Sequence, residues 1–211
     1  MKHAVSLTPG RSAALAVLVA AIAALVVVLI AVAPKPADAE DRIITRSFSN
    51  GNEILILDQD PADPYPSRIV ASFPQGSKVR DVDVVLRDYD HTYPDDVDVM
   101  LVHRGEDRTI MSDVGNGFAI ENLTIKLDDE ASASLPDDAK LEGGRFKPTN
   151  VGGSDDFPDP APSGGLRSRL SGFDGLLANG GWKLFVQDDA GPDTGEFGDG
   201  WTVRIKAAVP Q

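Results

Sequence analysis

The chain contains no cysteine, so neither a disulfide framework nor a thiolate metal site is open to it. Histidine is nearly as scarce, with three in 211 residues. His3 lies in the N-terminal segment, which leaves His91 and His103 for any imidazole chemistry. Two isolated histidines fall short of the donor set of a zinc centre. Aromatic residues make up 6% of the chain. Positive charge is in short supply: 20 Lys and Arg stand against 33 Asp and Glu, a net charge of −13. That balance argues against nucleic acid and anionic membrane surfaces as partners, since both repel it. No long helical period appears after residue 40, and no repeat of fixed period. A Gly-x-Ser-x-Gly elbow and EF-hand spacing are also missing.

The N-terminus has the features of an export segment. Lys2 and Arg11 supply a basic start, Ala13 to Ala33 is uninterrupted apolar sequence, and Ala37-Asp38-Ala39 is a small-x-small cleavage site before Glu40. Two readings follow for residues 1–39: a cleaved signal peptide, or an uncleaved anchor helix, because the apolar run from 13 to 33 is long enough to span a bilayer. The chain is accordingly expected to be secreted or extracytoplasmic, or else membrane-anchored through residues 13–33. Without residues 1–39, 17 basic and 32 acidic residues remain. The 172 residues from 40 to 211 suit one domain with a core of its own.

Residues 40–52 read as a linker, and residues 53–207 as the domain. Strand-like runs recur at 53–57, 68–73, 78–87, 97–102, 108–111, 120–127, 182–187 and 201–206. Val82, Val84 and Leu86 alternate with Asp81, Asp83 and Arg87, and Val97, Val99 and Leu101 share a face that Asp98 does not. Period-two alternation broken by turn residues predicts an all-β antiparallel sandwich. Both tryptophans open strands near the C-terminus, Trp182 after Asn179-Gly180-Gly181 and Trp201 after Gly200. The two strands read as a hairpin closed by an acidic Gly/Pro turn. The Pro-rich stretch 143–165 reads as a flexible surface loop.

Acidic residues collect at the strand ends: Asp95, Asp96 and Asp98; Asp128, Asp129 and Glu130; Asp188, Asp189 and Asp193. Calcium takes six to eight oxygen ligands from carboxylates, carbonyls and water, and carboxylates that converge repel one another unless a cation or protons neutralise them. Calcium is therefore the cofactor expected, with Asp188, Asp189, Asp193, Asp128, Asp129, Asp95 and Asp98 as candidate ligands. Gly191 and Gly195 would let the backbone fold around an ion. The bland alternative is that these are solvated turns of an acidic protein. His91 is expected to fix its turn with a hydrogen bond rather than serve a catalytic triad, and His103 to be an exposed strand-end residue. Trp182, Trp201, Phe185, Phe173 and Phe118 offer either core packing or a sugar-stacking platform.

Three segments carry a family resemblance. The first is His91-Thr92-Tyr93-Pro94-Asp95-Asp96-Val97-Asp98-Val99-Met100-Leu101-Val102. The second is Ser112-Asp113-Val114-Gly115, followed by Asn122-Leu123-Thr124 and Leu127-Asp128-Asp129-Glu130-Ala131. The third is Leu170-Ser171-Gly172-Phe173-Asp174-Gly175 running on to the two Trp-led strands. In this order they resemble the P domain (P/Homo B domain) of subtilisin-like proprotein convertases, bacterial type, over roughly residues 48–206. The resemblance implies a jelly-roll-like, galactose-binding-like β-sandwich. In that family the domain accompanies a subtilisin-type catalytic domain and tunes its stability and calcium dependence. Here residues 1–39 lead almost directly into the P-like domain, and no Gly-Thr-Ser nucleophile motif is present. Where the family often has Ser-Pro-x-Gly, this chain has His103-Arg104-Gly105-Glu106. The expectation is a non-catalytic accessory or binding module whose partner is a separately encoded exported protease or a cell-surface molecule. The alternatives are endopeptidase activity by family association and a carbohydrate-binding or adhesive sandwich.

Overall fold

The computed structural model describes Met1 and residues 41–211. The expected signal or anchor helix, its apolar run 13–33 and the cleavage site lie outside the described residues. Among those described, no helix is long and apolar enough to cross a membrane.

Twelve strands follow one another: β1 Arg42–Asn50, β2 Ile54–Ile56, β3 Ser67–Ala71, β4 Lys78–His91, β5 Val97–His103, β6 Glu106–Ser112, β7 Ile120–Asp128, β8 Gly144–Phe146, β9 Thr149–Asn150, β10 Gly180–Asp188, β11 Gly195–Phe197 and β12 Trp201–Val209. Helical structure among the described residues is confined to two 3-10 turns, Pro94–Asp96 and Leu170–Phe173. Seven strands form one sheet, in which β12 and β11 pair with successive stretches of β4, β1 pairs with β12, β2 with β11, and β7 and β8 continue on the other side of β4. The second sheet runs β3-β10-β5-β6-β9. Pairing is antiparallel except for β7 with β8 and β6 with β9. The two sheets enclose one core, and the expected all-β sandwich is what the sequence adopts.

The alternation read from the sequence sets the facing. Val82, Val84 and Leu86 from β4 and Val97, Val99 and Leu101 from β5 all lie in this core. Trp182, Trp201, Phe173 and Phe197 fill its centre with no exposed surface. Trp201 Nε1 donates to Ser67 Oγ at 3.0 Å, a hydrogen bond from β12 in one sheet to β3 in the other. A buried indole with its N–H satisfied holds its position in the core as well as filling it.

Three expectations are corrected. The segment 40–52 is not a linker: β1 occupies Arg42–Asn50 and pairs residue for residue with β12, Arg42 opposite Val209 and Asn50 opposite Trp201. Its exposed outer positions gave it the look of a spacer. The two Trp-led strands do not form a hairpin, because β10 belongs to the second sheet and β12 to the first. The acidic turn between them crosses from sheet to sheet. The stretch 143–165 is not a free loop: it forms β8 and β9, and Phe157 packs with Met100, Val102 and Phe185 on the outer face of β5. As a result β5 is buried on both faces along its whole length.

Candidate functional site

The register brings several strand ends to one edge of the second sheet. Antiparallel pairing sets Asp98 near the start of β5 opposite Gln187 near the end of β10, and Val99 opposite Met111 near the end of β6. β9 runs parallel to β6, with Asn150 beside Ser112, so the following chain passes the same edge and delivers Asp155. Asp98 is on the face of β5 opposite Val97 and Val99, as expected. That face is roofed by the segment that carries Asp155 and Phe157, and Asp98 is 2% exposed.

Asp98, Asp113 and Asp155 meet there, each with a carboxylate oxygen within 4.8 Å of the others'. Ser112 Oγ lies 2.8 Å from Asp113 Oδ2 and 3.0 Å from Asp155 Oδ1. Gln187 Nε2 donates to Asp98 Oδ2 at 2.9 Å and to the Asp156 carbonyl at 3.1 Å. Among the described residues, no lysine or arginine pairs with any of the three carboxylates. Burial, and then the charge of Asp155, push the Asp98 carboxyl up to about 8, against the hydrogen bonds of Gln187 and Ser112. Burial also raises Asp155 and Asp189, and the charge of Asp113 adds to both. Desolvated like charges of this kind take up protons or a cation. The donors are all oxygen, which suits a hard divalent ion such as calcium rather than zinc or copper.

The crossing turn after β10 builds a second, adjoining group. His91 Nε2 lies 3.2 Å from Asp188 Oδ2, with both side chains wholly buried. The approach is close but poorly aligned, so neither atom completes a hydrogen bond. His91 Nδ1 accepts the Tyr93 N–H at 3.2 Å, which is the turn-fixing role expected of it and puts the proton of a neutral ring on Nε2. Asp188 Oδ1 accepts the N–H groups of Ala190 and Gln59 at 3.1 and 3.4 Å. Burial pushes Asp188 up to about 6, and burial followed by the charges of Asp188 and Asp193 raises Asp96 to about 6. Asp193 accepts the Thr92 hydroxyl at 2.7 Å. Gly191 and Gly195 serve close packing here: a Cβ on Gly195 would collide with the Asp90 carbonyl and His91, and one on Gly191 with Asp58. Tyr89 Oη, fully buried nearby, has no hydrogen-bond partner.

Of the predicted ligands, Asp98 is in the three-carboxylate group and Asp189 and Asp95 are electrostatically coupled to it. Asp188 and Asp193 organise the crossing turn beside it. Asp128 and Asp129 are set apart. Asp128 lies on the outer face of the first sheet, where it meets Lys126 Nζ at 2.8 Å and Arg145 Nε at 2.7 Å. Burial pushes its carboxyl up, but the hydrogen bonds from Arg145 and Lys126 outweigh that and hold it well below the usual range. Asp129 accepts the N–H groups of Leu170 and Ser171 at 3.0 and 2.8 Å. Sequence reasoning missed Asp113 and Asp155. Asp113 sat inside a quoted motif without being weighed as a donor, and Asp155 lay in a stretch read as loose.

Two further expectations change. His103 is not exposed: it is fully buried, stacked on Trp182 at 3.9 Å and 2°, with its nitrogens 2.9 Å from the carbonyls of Gly181 and Leu177. The proposed sugar platform is dismantled, since Trp182, Trp201, Phe173 and Phe185 are interior and Phe118 alone of the five is exposed.

No family model matches the chain, and no curated protein matches it. Among solved structures it is similar to a crystal structure of an Aeromonas sobria serine protease in complex with its chaperone, at 16% identity and a TM-score of 0.36. The match covers 79% of this chain and 27% of that one. A likeness this loose carries no argument about fold or partner.

Proposed function

We propose that this chain is an exported, non-catalytic P/Homo B-like accessory module, and that calcium held by Asp98, Asp113 and Asp155 sets the shape of its strand-end loops. The observation that carries the cation is the buried Asp98 carboxylate, packed against two others with no cationic side chain paired to them among the described residues. Calcium would supply the missing positive charge and tie β5, the end of β6 and the 151–165 segment together. The protein's own residues set the geometry: Gln187 orients Asp98, and Ser112 bridges Asp113 and Asp155. The accessory role rests on the three resembling segments, with a separately encoded exported protease or surface molecule as the partner.

Proteolysis by the chain itself is the weaker reading. His91 Nδ1 is taken by the Tyr93 N–H, its wholly buried Nε2 faces the Asp188 carboxyl, and both nitrogens of His103 face carbonyls, whereas a triad base needs one nitrogen on a serine hydroxyl.

Thermal unfolding of the full chain in EDTA and in millimolar calcium tests the proposal. An ion that binds only the folded state adds about 2.7 kcal/mol at a hundred times Kd. The melting temperature is expected to rise with calcium and to lose that response in Asp98→Asn and Asp155→Asn. A wild-type melting temperature indifferent to calcium would remove the cation from the account.

A further inference from the structure

The second site lies away from the carboxylate edge, around the 3-10 turn Leu170–Phe173. Two depressions meet at Ser168 and Arg169: one of about 490 Å³ lined by Arg108, Arg167 and Arg169, the other of about 360 Å³ lined by Lys147 and Arg169. In a chain whose net charge is −13, four cationic side chains line two adjoining depressions that share Ser168 and Arg169, together termed the groove.

The floor is rigid. Arg108 is 6% exposed, and its Nε donates to the Arg169 carbonyl at 3.1 Å. Its guanidinium lies over the Phe173 ring, 5.5 Å from the centroid. A side chain on Gly172 would collide with that guanidinium, so glycine is what allows the turn to close onto Arg108. The walls are open. Arg169 is exposed and has no ion-pair partner among the described residues, and the same holds for Lys147. Arg167 reaches Glu106 and Asp107 only at 3.8 and 3.9 Å.

The nearby acids do not cancel these charges evenly. Glu106 shares one oxygen between Arg108 at 3.3 Å and Arg167. Asp129 turns both oxygens to backbone N–H groups. Leu166, 71% exposed, stands on the rim. Arginine forks match carboxylates in two-point hydrogen bonds, and an exposed leucine beside them favours an apolar neighbour.

We propose that this groove binds an extended acidic peptide segment of a partner protein, with carboxylates on Arg167, Arg169 and Lys147 and an apolar side chain on Leu166. A second copy of this chain is the poorer occupant, because two molecules of net charge −13 repel each other. The inference deepens the docking part of the proposed function and rests on that reading for the existence of a partner. It does not depend on the cation site, so calcium-dependent melting and peptide binding fail separately.

The test is titration of the full chain, at low ionic strength, with a capped pentapeptide of glutamates around one central leucine. Its glutamine counterpart and inorganic phosphate serve as competing probes. Expected is saturable binding of the glutamate peptide, no binding of the glutamine peptide, and at least a tenfold loss of affinity in the triple variant Lys147→Gln, Arg167→Gln, Arg169→Gln. These three side chains make no close ion pair, so the variant should melt as wild type does. Sites like this weaken with added salt. Any one of four results overturns the proposal: no binding of the glutamate peptide, undiminished binding in the triple variant, equal competition by phosphate, or self-association that the triple variant abolishes.

Discussion

Asp98 is the residue on which the site turns, and its titration has a definite sign. Its ordinary carboxyl value of 3.8 becomes about 8 in the folded chain, chiefly through burial and then through Asp155. A raised folded value means that the folded state holds the proton more tightly, so the stabilisation is fully present below the unfolded value and is lost as pH rises through the folded one. Through Asp98 alone, ion-free protein should therefore lose stability between about pH 4 and pH 8, by at most about 6 kcal/mol at one unit per 1.36 kcal/mol. Urea unfolding in EDTA across that range should show the decline, and Asp98→Asn should reduce it to the part contributed by Asp96 and Asp188, both raised to about 6. Calcium should reverse the trend, because it needs the ionised carboxylate. A second residue-scale test concerns Tyr89, whose buried hydroxyl lacks a partner. An unpaired buried polar group costs about 1–3 kcal/mol. Tyr89→Phe is therefore expected to unfold at equal or higher denaturant concentration. A loss of more than about 1 kcal/mol would mean that the hydroxyl is satisfied in solution.

At the scale of elements, the outer face of the first sheet shows what an acidic cluster looks like when the protein supplies its own cations. Arg204 on β12 meets Asp83 on β4 at 2.9 Å, Lys126 on β7 meets Asp83 and Asp128 at 3.0 and 2.8 Å, and Arg145 on β8 meets Asp128 at 2.7 Å. Four strands are joined by one alternating line of charge. Lys126→Met would leave Asp83 with Arg204 alone and Asp128 with Arg145 alone, so the loss should stay below the cost of a buried pair stripped of its partner, about 3–5 kcal/mol. Denaturant unfolding should show a loss of about 1–2 kcal/mol that calcium does not restore, whereas the Asp98 edge should respond to calcium. The same comparison explains what was legible in the sequence. Alternation located β4, β5, β7, β10 and β12, because each buries one face in the core. β1 escaped notice because its outer positions are exposed, and the acidic turn read as a hairpin because local sequence does not say which sheet a strand joins. Asp128 and Asp98 look alike in sequence. Only the pairing of β7 with β4 and β8, and of β5 with β6 and β10, separates a neutralised carboxylate from an unpaired one.

At the scale of the whole molecule, the sandwich places its unbalanced charge at one edge. Asp95, Asp96, Asp98, Asp113, Asp155 and Asp189 come from four stretches of chain, and their mutual repulsion is the cost of bringing those stretches together. A cation there would hold the roofing segment against β5 and leave Arg167, Arg169 and Lys147 free to meet a partner. The most direct test of the central claim is isothermal titration of calcium into the full chain at pH 7.5, beside Asp98→Asn and Asp155→Asn. The account predicts saturable binding that releases protons, since Asp98 holds its proton up to about pH 8, and loss of that binding in both variants. Binding that survives both substitutions, or no binding by the wild-type chain, would contradict it.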